Sequence, residues 1–237
     1  SWNNLGASLR NVSHHYDLDA SLFRAFLDQD MHYSCAYFGS PEQTLEEAQS
    51  AKCDHIRKKL CLKPGQKVLD IGSGWGSLGL YLAEKEDVQV TGLTLSNEQL
   101  AVANDEAVRR GLDNQVQFRL EDYRNHHGKY DAVVSVGMFE HVGLRNFDGY
   151  FNKVAKLLSG AGVAMIHTIG HTDRPVATNP WIRRHIFPGG YIPAISEIST
   201  AVERSPLVFA DIEVWRQHYA LTLKEWNHRF QTVRSEF

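Results

Sequence analysis

The stretch VLDIGSGWG, residues 68–76, leads from an apolar run into a loop with three glycines. A buried strand that ends in such a loop is typical of an α/β sheet whose ligand lies at the N-terminus of the following helix. Glycine permits positive φ angles and lets a ligand approach the backbone closely. The stretch therefore predicts a strand, a ligand-binding turn and a helix, in that order.

Segments of alternating type follow this turn along the chain. Residues with the composition of strands occupy 67–72, 88–95, 116–123, 130–138 and 162–169, and helical patterns occupy 78–85, 97–111 and 147–158. That order predicts a doubly wound α/β sheet with helices on both faces.

Two outer regions differ from this core in their sequence pattern. Residues 22–31 and 46–62 carry apolar side chains at three-to-four spacing, which indicates helices. Residues 170–237 begin with a Pro/Gly-rich insert and finish in a helical pattern. We expect an N-terminal helical segment over 1–64, a Rossmann-like core over 65–169, and an insert with a C-terminal helical region over 170–237. The two outer segments would form a helical lid built from both chain ends.

The composition excludes several classes of protein. The chain has 237 residues, a net charge of −3 and three cysteines. The mild acidity argues against a nucleic-acid partner, and no apolar run reaches the ~18–20 residues that cross a bilayer. The cysteines are too few and too spread for a disulfide framework or a metal site, and Cys53 and Cys61 are expected in the core. With no secretion signal at the N-terminus, a cytoplasmic location is expected.

The spacing of the glycines favours one cofactor over another. The pattern is D-x-G-x-G-x-G, beginning at Asp70, and not the G-x-G-x-x-G of NAD proteins. An NAD site also requires an acidic residue about 20 positions further on, where this chain has GLTLSNEQ. S-adenosylmethionine is therefore the expected cofactor. Asp122 and Tyr123, after the third strand, are expected to reach the edge and face of its adenine.

A longer set of motifs resembles one family. HHYDL, MHYSCAYF, LDIGSGWG, GLTLS, VGMFEHVG, HTIG, PWIRRHIFPGGYIP and HYALTLKEW occur in the order found in the cyclopropane fatty acid synthase family, which includes the mycolic acid cyclopropane synthases. The resemblance runs from about residue 11 to the end of the chain. It implies methylene transfer from S-adenosylmethionine to the cis double bond of an unsaturated fatty acyl chain of a phospholipid. The enzyme would contact the inner face of the membrane peripherally, with a homodimer as one expected assembly and no nucleic acid bound. Family members that act on phospholipids carry a further N-terminal domain and continue beyond RFQTVRSEF, so we expect the chain to be part of a longer protein.

The resemblance also implies site residues. The cofactor would be held by Tyr33, Ser34, Asp70, Gly72, Gly74, Gly76, Thr94, Leu95, Gln99, Asp122, Tyr123 and Gly137. A bicarbonate ion would be held by Cys35, Glu140, His167 and Tyr219 with the backbone amide of Ile169. The ring of Tyr16 would either face the cationic centre or simply pack.

The chemistry gives a reason for an anion in this place. Glu140 ends the apolar stretch VSVGMFEHVG, residues 134–143, where a bare carboxylate would be costly. Methyl transfer to an alkene leaves a carbocation, and ring closure then needs a base within reach of the new methyl group. Glu140, neutral because burial raises a carboxyl pKa, would hold the anion as a hydrogen-bond donor.

Several alternatives remain open on the sequence. Cys35 could be a nucleophile, a buried hydrophobe or a bicarbonate contact. Arg183 and Arg184 could meet lipid phosphate or remain solvated, and IFPGGYIP could be an acyl-channel lid or a packed loop. A branched-methyl or N-methyl product, or an inactive cofactor-binding module, is the alternative to cyclopropanation.

Overall fold

A computed structural model describes residues 20–185 and 190–236, except for the side chains of Arg183 and His185. Its sheet has five strands: β1 (Lys67–Ile71), β2 (Gln89–Thr94), β3 (Val116–Leu120), β4 (Tyr130–Val136) and β5 (Leu158–His167). The strands run parallel in the order β3-β2-β1-β4-β5. The order reverses between β1 and β4, so the carboxyl ends of these strands flank a crevice. The predicted doubly wound α/β fold is confirmed.

Eight α-helices accompany the sheet in the described part of the chain. They are α1 (Ala20–Phe26), α2 (Leu45–Leu60), α3 (Ser77–Glu86), α4 (Asn97–Arg109), α5 (Phe147–Leu157), α6 (Pro180–His185), α7 (Ile195–Glu203) and α8 (His218–Val233). Short 3-10 turns lie at Phe139–His141, Leu144–Asn146 and Arg234–Glu236.

Both faces of the sheet are covered, as the apolar composition of its strands requires. Val68 of β1 packs into a core cluster with residues of α2, α3 and α4. Its neighbours Leu69 and Ile71 belong to a second cluster, on the other face, with residues of α5 and α7. Alternate side chains of one strand thus enter two different cores.

The first described helix is shorter than its spacing predicts. α1 ends at Phe26, whereas the apolar pattern continues to Met31. The carboxylate of Asp28 accepts hydrogen bonds from the backbone amides of Asp30 (3.2 Å) and His32 (2.8 Å). These side-chain contacts offer the backbone an alternative to the helical ladder and stop the helix.

Helices from the two outer regions pack together above the glycine turn. A third apolar cluster joins Phe23 of α1, Leu45 of α2 and Trp226 of α8 to Trp75 of the turn. Arg229 of α8 makes two hydrogen bonds to the carboxylate of Glu46, at 2.8 and 2.7 Å. The predicted helical layer from both chain regions is therefore present.

Two further expectations have mixed outcomes. Cys53 is buried as expected, but Cys61 is exposed, because α2 ends at Leu60 and Cys61 adopts a left-handed φ of 49° at its C-terminus. Across residues 20–185 and 190–236, every helix is too short or too polar to cross a membrane.

Candidate functional site

A cleft opens at the carboxyl ends of the strands, beside the glycine turn. Eleven of the twelve residues that the sequence places at the cofactor line it: Tyr33, Ser34, Asp70, Gly72, Gly74, Thr94, Leu95, Gln99, Asp122, Tyr123 and Gly137. These residues come from positions 33–137 and meet because parallel strands end at the same edge of the sheet.

The glycine turn shapes the floor of this cleft. Gly72 and Gly74 have φ angles of 82° and 54°, which favour glycine. A Cβ on Gly72 would lie 2.7 Å from the Cβ of Met138, whereas a Cβ on Gly74 would meet no atom within 4 Å. The space above Gly74 is thus free for a ligand.

Gly76 has a packing role in addition to the cofactor contact that the resemblance implies. It lies outside the cleft lining and precedes α3 with a φ of 89°. A Cβ there would lie 2.6 Å from the ring of Phe118 on β3. Gly76 therefore allows α3 to pack closely on the sheet, and its expected contact with the cofactor stays a prediction.

Polar groups are concentrated where β2 and β3 end. The hydroxyl of Thr94 donates to Oε1 of Gln99 at 2.8 Å, and Ser96 caps α4 by accepting from the amide of Gln99. Beyond β3, the carboxylate of Asp122 accepts from Nε (2.8 Å) and Nη2 (2.5 Å) of Arg124. Arg124 was not expected from the motifs, and it holds the side chain of Asp122 in place.

Buried polar atoms without partners also face the cleft. In the described part of the chain, Oγ of Ser73 and Nε1 of Trp75 form no hydrogen bond, and both residues line the cleft. Burial raises the pKa of Asp70 to about 7. Such groups are costly unless a ligand or water satisfies them. Together with the ring of Tyr123, they fit a polar, aromatic nucleoside cofactor.

A second group of predicted residues lies around Glu140. Its Oε1 accepts a hydrogen bond of 2.6 Å from the backbone amide of Ile169, while its Oε2 is buried and forms no hydrogen bond with the described residues. Burial raises the pKa of Glu140 to about 7. The amide of Ile169, which the resemblance implies as an anion contact, binds Glu140 in this structure, and its contact with an anion stays a prediction.

His167 ends β5 next to this carboxyl group. Its backbone oxygen accepts from the amide of Gly137 at 3.0 Å, and its ring centroid lies 4.9 Å from that of Trp215. Burial, with a further contribution from the charge of Lys52, lowers the pKa of His167 to about 3. The imidazole is therefore neutral, and its Nδ1 forms no hydrogen bond within the described chain.

Cys35 and Tyr219 reach the same place from the outer regions. The amide of Ala36 donates to the hydroxyl of Thr222 on α8 at 3.0 Å, which joins the segment of Cys35 to the helix of Tyr219. Burial raises the pKa of Cys35 to about 11. Burial also raises the pKa of Tyr219, and the nearby Tyr33, Glu140 and Cys35 add to this effect.

We call Cys35, Glu140, His167 and Tyr219 the neutral cluster. Burial keeps the thiol, the imidazole and the phenol uncharged at pH 7, and it raises the pKa of Glu140 to about 7, which favours its protonated form compared with an exposed glutamate. Uncharged hydrogen-bonding groups, with Glu140 in its protonated form, suit a small anion, because they can solvate it without a competing carboxylate. The residues present thus fit a bound bicarbonate ion.

Part of the expected lid lies outside the described residues. This applies to Tyr16, to the side chain of Arg183 and to residues 186–189. Tyr191 is described, and its backbone amide donates to the backbone oxygen of Glu140 at 2.9 Å. The insert is therefore connected directly to the neutral cluster.

Three residues near the two sites were not expected from the motifs. His32 and Lys52 line the cleft, and Thr222 bridges the outer regions. Lys52 follows Ala48 by four positions and precedes Ile56 by four, on the buried side of α2. The sequence signal that could have identified Lys52 is a lysine at a helix position where the spacing is otherwise apolar.

Comparisons with known proteins point to one family. The family model described as "Mycolic acid cyclopropane synthetase" matches residues 4–237. The chain is 44% identical over 216 residues to a cyclopropane-fatty-acyl-phospholipid synthase of Escherichia coli strain K12, covering 91% of this chain and 55% of the relative. It is 41% identical over 227 residues to a probable fatty acid methyltransferase of Pseudomonas putida, covering 93% and 58%. The chain thus spans a little over half the length of these curated relatives.

Solved structures show the same fold. The cyclopropane synthase MmaA2 from Mycobacterium tuberculosis matches with a TM-score of 0.91 and 34% identity, over 96% of this chain and 85% of that one. A mycolic acid cyclopropane synthase complexed with SAH and CTAB matches with a TM-score of 0.89 and the same identity and coverage.

Proposed function

Because this chain belongs to the mycolic acid cyclopropane synthetase family, we propose that it takes part in methylene transfer from S-adenosylmethionine to the cis double bond of an unsaturated fatty acyl chain of a phospholipid, forming a cyclopropane ring. One observation carries the proposal: Oε2 of Glu140 and Nδ1 of His167 are buried without hydrogen bonds in a cluster of neutral groups. Simple methyl transfer to a nucleophile with its own lone pair has no need of such a cluster. Ring closure does, because a proton must leave the new methyl group.

The cleft would hold the cofactor. S-adenosylmethionine supplies a methyl group on a positively charged sulfur, which a weakly nucleophilic alkene can attack. The turn at Gly72 and Gly74 would receive the amino-acid part closely, and Asp122 with Tyr123 would receive the adenine. A relative of the same fold that is complexed with SAH supports this assignment.

Aromatic rings would face the alkene and the positive charge that develops on it. Tyr33 stacks on Trp226 with centroids 5.3 Å apart, and the ring of Tyr219 lies 6.4 Å from that of Trp226. Ring faces carry negative potential and stabilise a nearby cation. They also exclude water, which would otherwise capture a carbocation.

The neutral cluster would hold bicarbonate, which would accept the proton that leaves on ring closure. Glu140, in its protonated form, would donate from Oε2, while the amide of Ile169 holds Oε1. Cys35, His167 and Tyr219 would supply the other contacts. None of these side chains needs to act as the base itself.

The outer regions would deliver the lipid. We assign the core of the cofactor site to residues 65–169, completed by Tyr33 and Ser34 from residues 1–64, and the cover of the cofactor and acyl site to residues 1–64 and 170–237. Trp181 and Val176 are 61% and 55% exposed, beside the exposed Arg184. Apolar and basic side chains together suit peripheral contact with an anionic membrane surface. The homodimer expected from the resemblance stays a prediction.

The test uses the purified full-length protein that contains this chain, S-adenosylmethionine and vesicles of a phospholipid with cis-unsaturated acyl chains. Mass spectrometry should find acyl chains heavier by one methylene group, in which the alkene has been lost. Vesicles of a saturated phospholipid are the control and should stay unchanged. A methylated product that keeps its alkene would favour the branched-methyl alternative, and cofactor binding without any lipid product would favour the inactive module.

A further inference from the structure

Lys52 is a buried cation at the wall of the cofactor cleft. Its side chain is 1% exposed, on the apolar side of α2. Its Nζ donates to the hydroxyl of Ser34 at 2.9 Å, and both residues line the cleft. No carboxylate of the described residues lies within 4 Å of Nζ.

This ammonium group is incompletely satisfied by the protein. Lysine has three N–H donors, and the hydroxyl of Ser34 takes one of them. Burial lowers the pKa of Lys52, and the nearby Cys53, Asp28 and Cys35 oppose this effect. Both stronger partners are themselves bound by His32: the carboxylate of Asp28 contacts Nδ1 (2.8 Å) and the amide (2.8 Å), and Sγ of Cys53 lies 3.1 Å from Nε2. A buried charge without a direct counter-ion is costly, so a ligand that brings a carboxylate here would gain a strong, charge-assisted contact.

We propose that Lys52 binds the carboxylate of the amino-acid part of S-adenosylmethionine, with Ser34 positioning its ammonium group. The inference rests on the proposed function and adds to it the residue that recognises this end of the cofactor. It also explains why a lysine occupies a position of α2 that the helical spacing marks as apolar.

The position along the sheet agrees with the length of the cofactor. A Cβ on Gly137, just after β4, would lie 3.9 Å from the Cβ of Ser34, so Lys52 and Ser34 lie near the end of β4. Asp122 and Tyr123 follow β3, three strands away in the order β3-β2-β1-β4. Three strand spacings of about 4.8 Å separate the two ends by about 14 Å. An extended cofactor can span this distance, with adenine at one end and carboxylate at the other.

Two other basic side chains of the cleft are already paired, His32 with Asp28 and Arg124 with Asp122. Arg124 binds both carboxylate oxygens of Asp122, at the β3 end. An anion at the neutral cluster is the competing partner for Lys52, because the charge of Lys52 lowers the pKa of both Cys35 and His167 in that cluster. Lys52 lines the cleft, however, and the four residues of the neutral cluster do not, which favours the cofactor.

Calorimetry with two ligands tests the inference. S-adenosylhomocysteine carries the carboxylate, and its decarboxylated analogue lacks only that group. In the wild type, the analogue should bind at least about tenfold more weakly, as the loss of a charged hydrogen bond implies. Lys52→Met should weaken S-adenosylhomocysteine by a similar factor and leave the Kd of the analogue within about twofold, because the two losses remove the same contact. Lys58→Met, at an exposed position of the same helix, is the matched control and should change neither Kd.

Other outcomes would refute either the inference about Lys52 or the proposed function. If Lys52→Met weakens both ligands equally, Lys52 only supports the cleft wall and the inference is wrong. The same follows if the variant keeps its affinity for S-adenosylhomocysteine and changes only the bicarbonate dependence of turnover. Should Lys52→Met fail to fold, the comparison of the two ligands on the wild type decides, since equal affinities there exclude a carboxylate contact. If the wild type binds neither ligand, the proposed function itself fails.

Discussion

Glu140→Gln removes the charge of Glu140 but nearly keeps its shape. The pH dependence of the unfolding free energy, compared between the variant and the wild type, therefore measures the effect of the charge. Glutamine is nearly isosteric with a protonated glutamate. Its Oε1 can still accept from the amide of Ile169, which now lies 2.6 Å from the carboxyl oxygen. Its amide nitrogen supplies a donor where Oε2 has no partner among the described residues. The variant therefore imitates the neutral form of the side chain at every pH.

The size of this effect on the unfolding free energy follows from the pKa of Glu140 in the folded and unfolded chains. Burial raises this pKa to about 7 from the ordinary value of 4.5. Below pH 4.5 both folded and unfolded chains keep the proton, so the wild type has no penalty. Between pH 4.5 and 7 the unfolded chain releases the proton and the folded chain retains it, which favours unfolding by about 1.36 kcal/mol per pH unit. Above pH 7 both states are ionised, and the penalty is constant at about 3 kcal/mol.

Urea unfolding of both proteins from pH 5 to pH 8, in degassed buffers without bicarbonate, measures the effect. The unfolding free energy of Glu140→Gln minus that of the wild type should rise by about 2–3 kcal/mol over this range. The contribution of Asp70 is present in both proteins and cancels in the difference. His167 lies next to Glu140, but its low pKa of about 3 keeps it neutral in the folded protein throughout this pH range. Glu203→Gln, at an exposed position of α7, is the control and should run parallel to the wild type. A difference that stays constant from pH 5 to pH 8 would refute the reasoning, because Glu140 would then keep one charge state throughout.

Three other predictions concern the cleft and the neutral cluster. Gly74→Ala should raise the Kd for S-adenosylhomocysteine several-fold, and it should lower the unfolding free energy by about 1 kcal/mol because Gly74 has a positive φ. Gly65→Ala, also at positive φ with open space around it, is the control and should lose stability without a change in cofactor affinity. Unchanged cofactor affinity in Gly74→Ala would contradict the placement of the ligand. Cys35→Ala should retain part of the turnover, because a thiol with a pKa of about 11 is a poor nucleophile and other groups still hold the anion, with Cys61→Ala as the exposed control. A trapped acyl or methyl adduct on Cys35 would show the opposite. Removing bicarbonate should slow the wild type more than Glu140→Ala, which has already lost the anion site, and turnover at full rate without bicarbonate would exclude the anion as the base.

Local patterns in the sequence were sufficient for the fold and for most of the cleft. The run that ends at Ile71, followed by Gly72 and Gly74, predicts a strand and a ligand-binding turn, because turn chemistry depends on neighbouring residues. Alternation of strand and helix then predicts a parallel sheet, whose carboxyl ends must share one edge. Thr94 and Asp122 could therefore be placed in one site although they lie on different strands.

The same patterns could not predict what each residue does at its position. Gly76 belongs to the glycine motif, yet its missing Cβ makes room for Phe118, a contact with a strand 42 positions later. The amide of Ile169 is at the expected site, but it binds Glu140. Both outcomes depend on contacts between segments that are remote in sequence.

Charge state was decided by tertiary structure alone. Glutamate and lysine side chains are ordinarily charged at pH 7, so the sequence predicts charges on Glu140 and Lys52. Helical spacing places Lys52 on an apolar face. Packing of the outer helices on the sheet removes both groups from water, which raises the pKa of Glu140 and leaves the ammonium of Lys52 facing the cleft with a single hydroxyl partner. Spacing along a chain determines which residues share a strand end or a helix face. Only the folded arrangement determines how much water and which partners remain around each charge, and the chemistry of the site depends on that.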